Sequence, residues 1–235
     1  EVVCMNAGPH TLAVDVAIIG GGVAGLWLLG RLRKAGYHAI LLENDRLGAG
    51  QTRYAQGIIH GGTKYALTGK LTGSSEAIVE IPARWRGALD GTGELDLSTV
   101  KLMSDHQYMW STTTLGSRLA GFFASKLMRS RTQVLEGDAR PELFRNSMFK
   151  GQVYRLDEPV LDVASLIAAL AALHADVMFH TEELTLDPHH PTRIGLTNGT
   201  SIEAQRLVLC AGVGNEGLLQ QLGRERPKMQ RRPLQ

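Results

Sequence analysis

Apolar positions near the start of the chain fall first into an unbroken run and then into a helical spacing. Residues 14–19, VDVAII, are β-branched and apolar but for Asp15 and predict a buried strand. GGGVAG follows at once, and then LWLLGRLRKAG, in which Leu26, Leu29 and Leu32 share one helical face. This predicts a Gly-rich turn and a helix that Gly36 closes. HAILLE, residues 38–43, reads as a second buried strand that ends in an acid. The three together make a βαβ unit of about 30 residues.

Periodicity then lapses. Residues 44–75 hold seven glycines and little pattern, far beyond the connection of about 4–6 residues that is usual, and loops of that length tend to carry function. Helical spacing returns over 76–89 and 114–128, with a strand expected between them over 100–110. VYRLDEPVLDVASLIAALAALHA supplies a strand, Asp162 as a helix N-cap and an apolar helix over 163–175, and VMFHTEEL reads as another strand. A hairpin turn at Asn198-Gly199 separates two alternating runs, and the apolar strand 207–210 leads into Ala211-Gly212. The expected fold class is α/β: a doubly wound, Rossmann-like domain interrupted by an inserted, incomplete antiparallel-sheet domain. The first domain is assigned residues 12–75 and 152–222, the second 76–151 and 223–235.

Composition narrows the classes that remain. With 43% hydrophobic and 20% charged residues in 235, the chain is an ordinary globular protein and not a disordered one. Its 27 glycines exceed the roughly 16 expected at average usage, and they cluster without a fixed period. The last twelve residues carry five basic groups and one acid, which leaves a net −2 on the preceding 223. That tail has no aromatic residue for base stacking, so a nucleic-acid partner is not expected. Cys4 and Cys210 are too few for a disulfide framework or a zinc site, which points to a reducing cytoplasm. The longest uncharged run, residues 16–30, has 15 residues and five glycines, short of the roughly 20 needed to span a bilayer. Peripheral membrane contact is left open, as is the oligomeric state.

Gly20-x-Gly22-x-x-Gly25 lies between the first strand and its helix, and Glu43 ends the next strand 18 residues after Gly25. Each part has a mechanical reason in a dinucleotide site. Gly20 permits the tight turn, Gly22 lets backbone approach a pyrophosphate at the helix N-terminus, and Gly25 lets helix and strand pack closely. Val23 and Ala24 lie in that helix N-terminus, and Asn44 follows the acid. A carboxylate at Glu43 accepts ribose hydroxyls and repels a 2′-phosphate, so these residues admit FAD or NAD and disfavour NADP. The alternative, a solvated acid at a strand end, is disfavoured by the four apolar residues that precede Glu43.

The following segment, GAGQTRYAQGIIHGGTKYAL over 48–67, resembles the second flavin-contacting segment of the FAD-dependent D-amino acid oxidase superfamily. Its IHGG is closest to flavin-linked glycerol-3-phosphate dehydrogenase. The resemblance implies FAD, with Gly50, Thr52, Gln56, Gly57 and Gly62 along the pyrophosphate, the ribityl chain and the isoalloxazine. It also implies a backbone amide at Leu184 against adenine, and Ala211 and Gly212 in the turn that closes over the cofactor. The chain departs from the glycerol-3-phosphate dehydrogenases in reading TRYAQG where they have a Ser-rich stretch, and Lys64 where they have Arg. Both departures argue against phosphate recognition.

The resemblance implies a two-electron oxidoreductase in which a C–H bond alpha to an amine or hydroxyl of a small-molecule amino acid or hydroxy acid gives its hydride to the flavin, with oxygen or a quinone as final acceptor. Flavin-linked glycerol-3-phosphate oxidation and a non-catalytic FAD-binding fragment are the alternatives. His60 and Lys64 are the candidate catalytic groups. His60 either steers a proton or tethers its loop, and Lys64 with Tyr65 either binds a substrate carboxylate or is solvated. Trp85 and Trp110 read as core or interface aromatics. Because the family continues beyond the length seen here, the chain is expected to be truncated, to hold the ADP half of FAD and to leave the isoalloxazine exposed.

Overall fold

The computed structural model describes residues 10–61, 80–112 and 132–229. Two compact units divide the chain, Glu1–Ala55 with Val163–Gln235 and Gln56–Asp162. In chain order the elements are β1 (Thr11–Ile19), α1 (Val23–Lys34), β2 (Ala39–Glu43), α2 (Ile81–Leu89), β3 (Leu102–Ser104), β4 (Gln107–Ser111), β5 (Thr132–Leu135), β6 (Gln152–Leu156), β7 (Val160–Leu161), α3 (Val163–Leu173), β8 (Met178–His180), β9 (Leu184–Asp187), β10 (His190–Leu196), β11 (Ser201–Leu209) and α4 (Asn215–Gln221).

The first unit is built on a mixed sheet of order β8-β2-β1-β11-β10-β9. Strands β8, β2, β1 and β11 run parallel, and β10 and β9 turn antiparallel at one edge. Parallel strands are covered on both faces, which is why β1 and β2 read as nearly continuous apolar runs. Ala17, Ile18, Ala39, Leu41 and Leu42 are fully buried there. Helix α1 sinks Leu26 and Leu29 and packs against α3, whose Leu166, Ala169 and Leu170 are also buried. A second cluster joins Ala17, Ile19, Ile40 and Leu42 to Leu186, Ile194 and Ile202, with Leu218 and Leu222 packed on it.

Local signals place the ends of these elements. Gly36 leaves α1 at φ +88°, and the amides of Tyr37 and Gly36 donate to the carbonyls of Leu32 and Arg33, a Schellman closure. The hairpin between β10 and β11 sits at Asn198-Gly199, but only Gly199 has a positive φ. Its amide donates to Leu196 O at 3.0 Å, so the connection is a type I turn followed by a left-handed glycine.

In the second unit β4-β6-β5 form an antiparallel sheet, and β3 pairs with β7. Ala88, Leu97, Val153 and Tyr154 are fully buried in it. Two sequence expectations change here. The strand over 100–110 is broken at Asp105-His106, where the Ser104 hydroxyl donates to the His106 carbonyl, and its two halves have different partners. Strand β6, placed in the first domain by its nearness to α3, lies between β4 and β5 and so belongs to the second unit. The units meet along the chain at 55/56 and 162/163, not at the expected 75/76 and 151/152. In the first unit, the strand expected across VMFHTEEL likewise divides into β8 and β9 around Thr181. The helix expected over 114–128 lies outside the described residues. Trp110 is exposed, and its ring meets Phe144 and Phe149 at 6.1 and 6.3 Å.

Candidate cofactor site

In the first unit the glycine turn is shaped by what surrounds it. Gly20 has φ +116°, and a Cβ there would lie 2.5 Å from the Cys210 backbone. A Cβ on Gly25 would lie 1.9 Å from Gly20 O. These two glycines therefore serve the protein's own packing. Gly22 differs, since the nearest atom to a Cβ there is the Thr52 hydroxyl at 3.1 Å. It occupies the N-cap position of α1 with no side chain to cap the helix. Thr52 takes over that duty from another element, accepting from Val23 N at 3.1 Å.

Helix α1 has no acidic residue in its first turn and carries Arg31, Arg33 and Lys34 in its last. No acidic side chain of α1 itself therefore neutralises its positive N-terminal end, and such an end attracts anions through its amides and dipole. Ala24 is exposed at this end.

Glu43, at the carboxyl end of β2, is the hub of the turn. Its Oε2 accepts from Gly21 N at 2.5 Å, and its Oε1 accepts from Asn44 N at 2.9 Å and Asp45 N at 2.8 Å. A carboxylate offers about four lone-pair sites, so these three bonds leave room for one more donor. The loop after β2 is latched back onto the turn by Gly48 N donating to Gly21 O at 2.8 Å. Gly48 itself sits at φ +72°, with Ile167 of α3 where a Cβ would be. Gly50 is exposed and precedes the three-ten turn Gln51–Tyr54 that presents Thr52.

At the end of β11, Cys210 N donates to Ile19 O at 2.7 Å, which sets the Ala211-Gly212 turn beside Gly20. Asn215 braces that turn from the start of α4, accepting from Ala211 N at 2.8 Å and donating to Leu209 O at 3.3 Å. Gly212 has φ +58° with open space where a Cβ would stand. Burial pushes the Cys210 thiol up from its ordinary value. Leu184 stands apart from these contacts, opening β9 opposite Leu196 and packed on the core. From that part of the chain it is buried Thr181 that reaches the acid's strand, donating its amide to Glu43 O at 2.9 Å.

The second unit holds a separate cluster. Gln56 is exposed. Gly57, at φ +72°, lies so close to β7 that a Cβ would be 2.1 Å from Leu161 O. Residues 57–61 then run antiparallel to 158–161: Leu161 N donates to Gly57 O, Ile58 bridges Val160, and Ile59 N donates to Pro159 O. At its far end Gly61 N donates to Glu158 Oε1 at 2.8 Å, and His60 Nδ1 lies 3.3 Å from Glu158 Oε2. The Gln107 side-chain amide donates to that same oxygen. Gly62, Lys64 and Tyr65 lie outside the described residues.

Thr181, Asn215, Gln107 and Glu158 were not legible as site residues. Glu158 sits in DEPV, between two β segments, where an acid ordinarily reads as solvated. Only the pairing of segments 97 residues apart reveals it as buried.

The glycine turn, the open positive end of α1 and the acid at the end of β2 fit the ADP half of a dinucleotide. The family model of the FAD dependent oxidoreductases, DAO, matches residues 15–235. The chain belongs to that family. FAD is accordingly the cofactor that this cradle fits. The chain is 51% identical over 227 residues to a probable FAD-dependent oxidoreductase of Pseudomonas aeruginosa, covering 96% of this chain and 58% of that protein. It is similar to the crystal structure of an FAD dependent oxidoreductase from Pseudomonas aeruginosa, with TM-score 0.77 and 42% identity over 96% of this chain and 55% of that one. Glycine oxidase from Geobacillus kaustophilus shares the fold, with TM-score 0.72 and 19% identity over 90% of this chain and 59% of its own. The chain thus spans a little over half the length of each of these three proteins. Among the described residues, no helix is long and apolar enough to cross a membrane.

Proposed function

We propose that this chain is the FAD-binding part of an oxidoreductase that removes a hydride from the carbon alpha to the nitrogen or oxygen of a small amino acid or hydroxy acid. The observation that carries the reading is His60. It is a half-exposed imidazole on a glycine-rich segment whose backbone is held by a buried acid. Bound FAD supplies the two-electron acceptor for the hydride. This chain's residues supply the rest.

Gly22 and the α1 amides hold the pyrophosphate, and the remaining lone pair of Glu43 accepts a ribose hydroxyl. Gly50, Gln56, Gly57 and Gly62, the Ala211-Gly212 turn and the Leu184 amide keep the cofactor roles expected from the resemblance. His60 takes the proton that leaves a substrate hydroxyl or ammonium group, and Lys64 pairs with the substrate carboxylate. The likeness to glycine oxidase supports the amino acid class through shared fold alone. Oxygen or a quinone reoxidises the flavin. Two cysteines in 235 residues, too few for a disulfide framework, support a reducing, cytoplasmic setting.

The test is anaerobic addition of amino acids, 2-hydroxy acids and glycerol 3-phosphate, one at a time, to the FAD-loaded protein while the visible flavin absorbance is followed. Bleaching by an amino or hydroxy acid is expected. Bleaching by glycerol 3-phosphate alone, or an oxidised spectrum with every compound, overturns the reading.

A further inference from the structure

We propose that Glu158 is a positioning residue that fixes His60 in the Nδ1–H tautomer and leaves Nε2 as the proton-accepting atom; this rests on the reading of His60 as the group that handles the substrate proton. The Glu158 side chain is only 5% exposed, whereas that of His60 is 48% exposed. An ionised carboxylate taken out of water is costly unless several donors meet it. Here the Gly61 amide meets Oε1, and the Gln107 side-chain amide and His60 Nδ1 meet Oε2.

A carboxylate oxygen only accepts, and a neutral imidazole has a single N–H. The nitrogen that faces Glu158 therefore carries the hydrogen. In water the Nε2–H form of histidine predominates, so the carboxylate reverses the free preference and turns a lone pair outward at Nε2. The tautomer of a histidine is set by the hydrogen bond that its other nitrogen makes. At 3.3 Å the contact is long, as such contacts commonly are before a ligand tightens them.

The arrangement also suits the reaction. Oxidation of an alcohol to a carbonyl breaks the C–H bond with its electron pair leaving as hydride to the FAD, and the O–H proton must go elsewhere. An ammonium substrate must likewise lose one N–H proton, so that the freed nitrogen lone pair forms C=N as the C–H pair leaves as hydride. Nε2 receives that proton, and the resulting imidazolium is stabilised by the Glu158 charge across the ring. Gly61 N–H ties the same acid to the backbone next to His60, which holds the ring's attachment point as well as its protonation.

The experiment uses FAD-loaded protein labelled with 15N-histidine, with long-range 1H–15N spectra recorded about two units above the ordinary imidazole value. The chain has eight histidines, and His60 is assigned by its absence from the spectrum of His60→Gln. Wild type is expected to show His60 as Nδ1–H. Glu158→Gln presents one acceptor oxygen to three donors and should move His60 toward Nε2–H. In that variant kcat should fall on the order of tenfold or more, with KM changed by no more than about twofold. An Nε2–H His60 in wild type overturns the proposal, and so does an Nδ1–H signal unchanged in Glu158→Gln. If Glu158→Gln does not fold, the wild-type spectrum alone decides. An Nδ1–H His60 together with full turnover by His60→Gln overturns only the catalytic reading of His60 and leaves the Glu158 assignment standing.

Discussion

Replacing Glu43 with glutamine separates its two duties. The wild-type carboxylate accepts from Gly21 N on one oxygen and from Asn44 N and Asp45 N on the other. A glutamine keeps one acceptor oxygen. Directed at Asn44 and Asp45 it retains two bonds, and its NH2 group then faces the Gly21 N–H, donor against donor. A hydrogen bond to a charged group contributes about 1.5–3 kcal/mol. Glu43 is only half-buried, so the lower end of that range, a loss of about 1.5 kcal/mol, is expected, close to tenfold in an equilibrium constant. Because the turn is held before any ligand arrives, this cost falls on the apoprotein. The assay is urea denaturation of apo wild type and Glu43→Gln, paired with FAD titration of both. The expected result is a lower apo midpoint from the lost Gly21 bond and, separately, an FAD Kd raised about fivefold from the lost charge-assisted share of the ribose bond. A weakened FAD Kd with unchanged apo stability would show that the acid serves the ribose alone. If neither moves, Glu43 is a solvated strand-end acid and the anchoring argument is wrong.

Gly25→Ala should cost about 3 kcal/mol or more in urea unfolding, because its Cβ would collide with the Gly20 carbonyl. Gly22→Ala should change stability by less than about 1 kcal/mol, since only the Thr52 hydroxyl is near, yet lower FAD affinity by at least about tenfold through the blocked phosphate approach. Equal effects of the two on unfolding would refute the division between packing and ligand glycines. His174 titrates below its ordinary value because burial and, next, Arg33 oppose its charge, against the pull of Asp176. The folded value is thus lower than the unfolded one. Stability is complete above the unfolded value of about 6.5, falls as pH drops through it, and levels off below the folded value. Thermal midpoints measured across that window should fall in wild type, and the slope should be shallower in His174→Gln.

The βαβ unit was legible because its signals are local. Apolar runs, a glycine turn and a strand-end acid sit within 33 residues from Thr11 to Glu43, and each has one mechanical reading. The start of β1 was less so, since Thr11–Ala13 are strand through pairing with Ser201–Glu203, residues whose partnership no local pattern announces. The same reason hid the place of β6. Its sequence leads into α3, but its hydrogen bonds go to β4 and β5. Asn198-Gly199 marked the hairpin correctly but left its turn type open, and the positive φ at Gly199 without one at Asn198 excludes the type I′ turn that such a pair often forms. In the site, Gly20, Gly25 and Glu43 answer to backbone geometry that any such turn imposes. Glu158 answers to a contact made only once the chain has folded.

The account stands most directly on whether the cradle of Gly20, Gly22, Gly25 and Glu43 holds the ADP half of FAD. Calorimetric titration of the apoprotein with FAD, ADP-ribose, FMN and NADH, followed by competition among them, measures this. The account predicts that FAD binds, that ADP-ribose displaces it with comparable affinity, and that FMN, which lacks the ADP half, does neither. Binding of FMN as tight as that of FAD, or binding of NADH by a protein that rejects FAD, would contradict it.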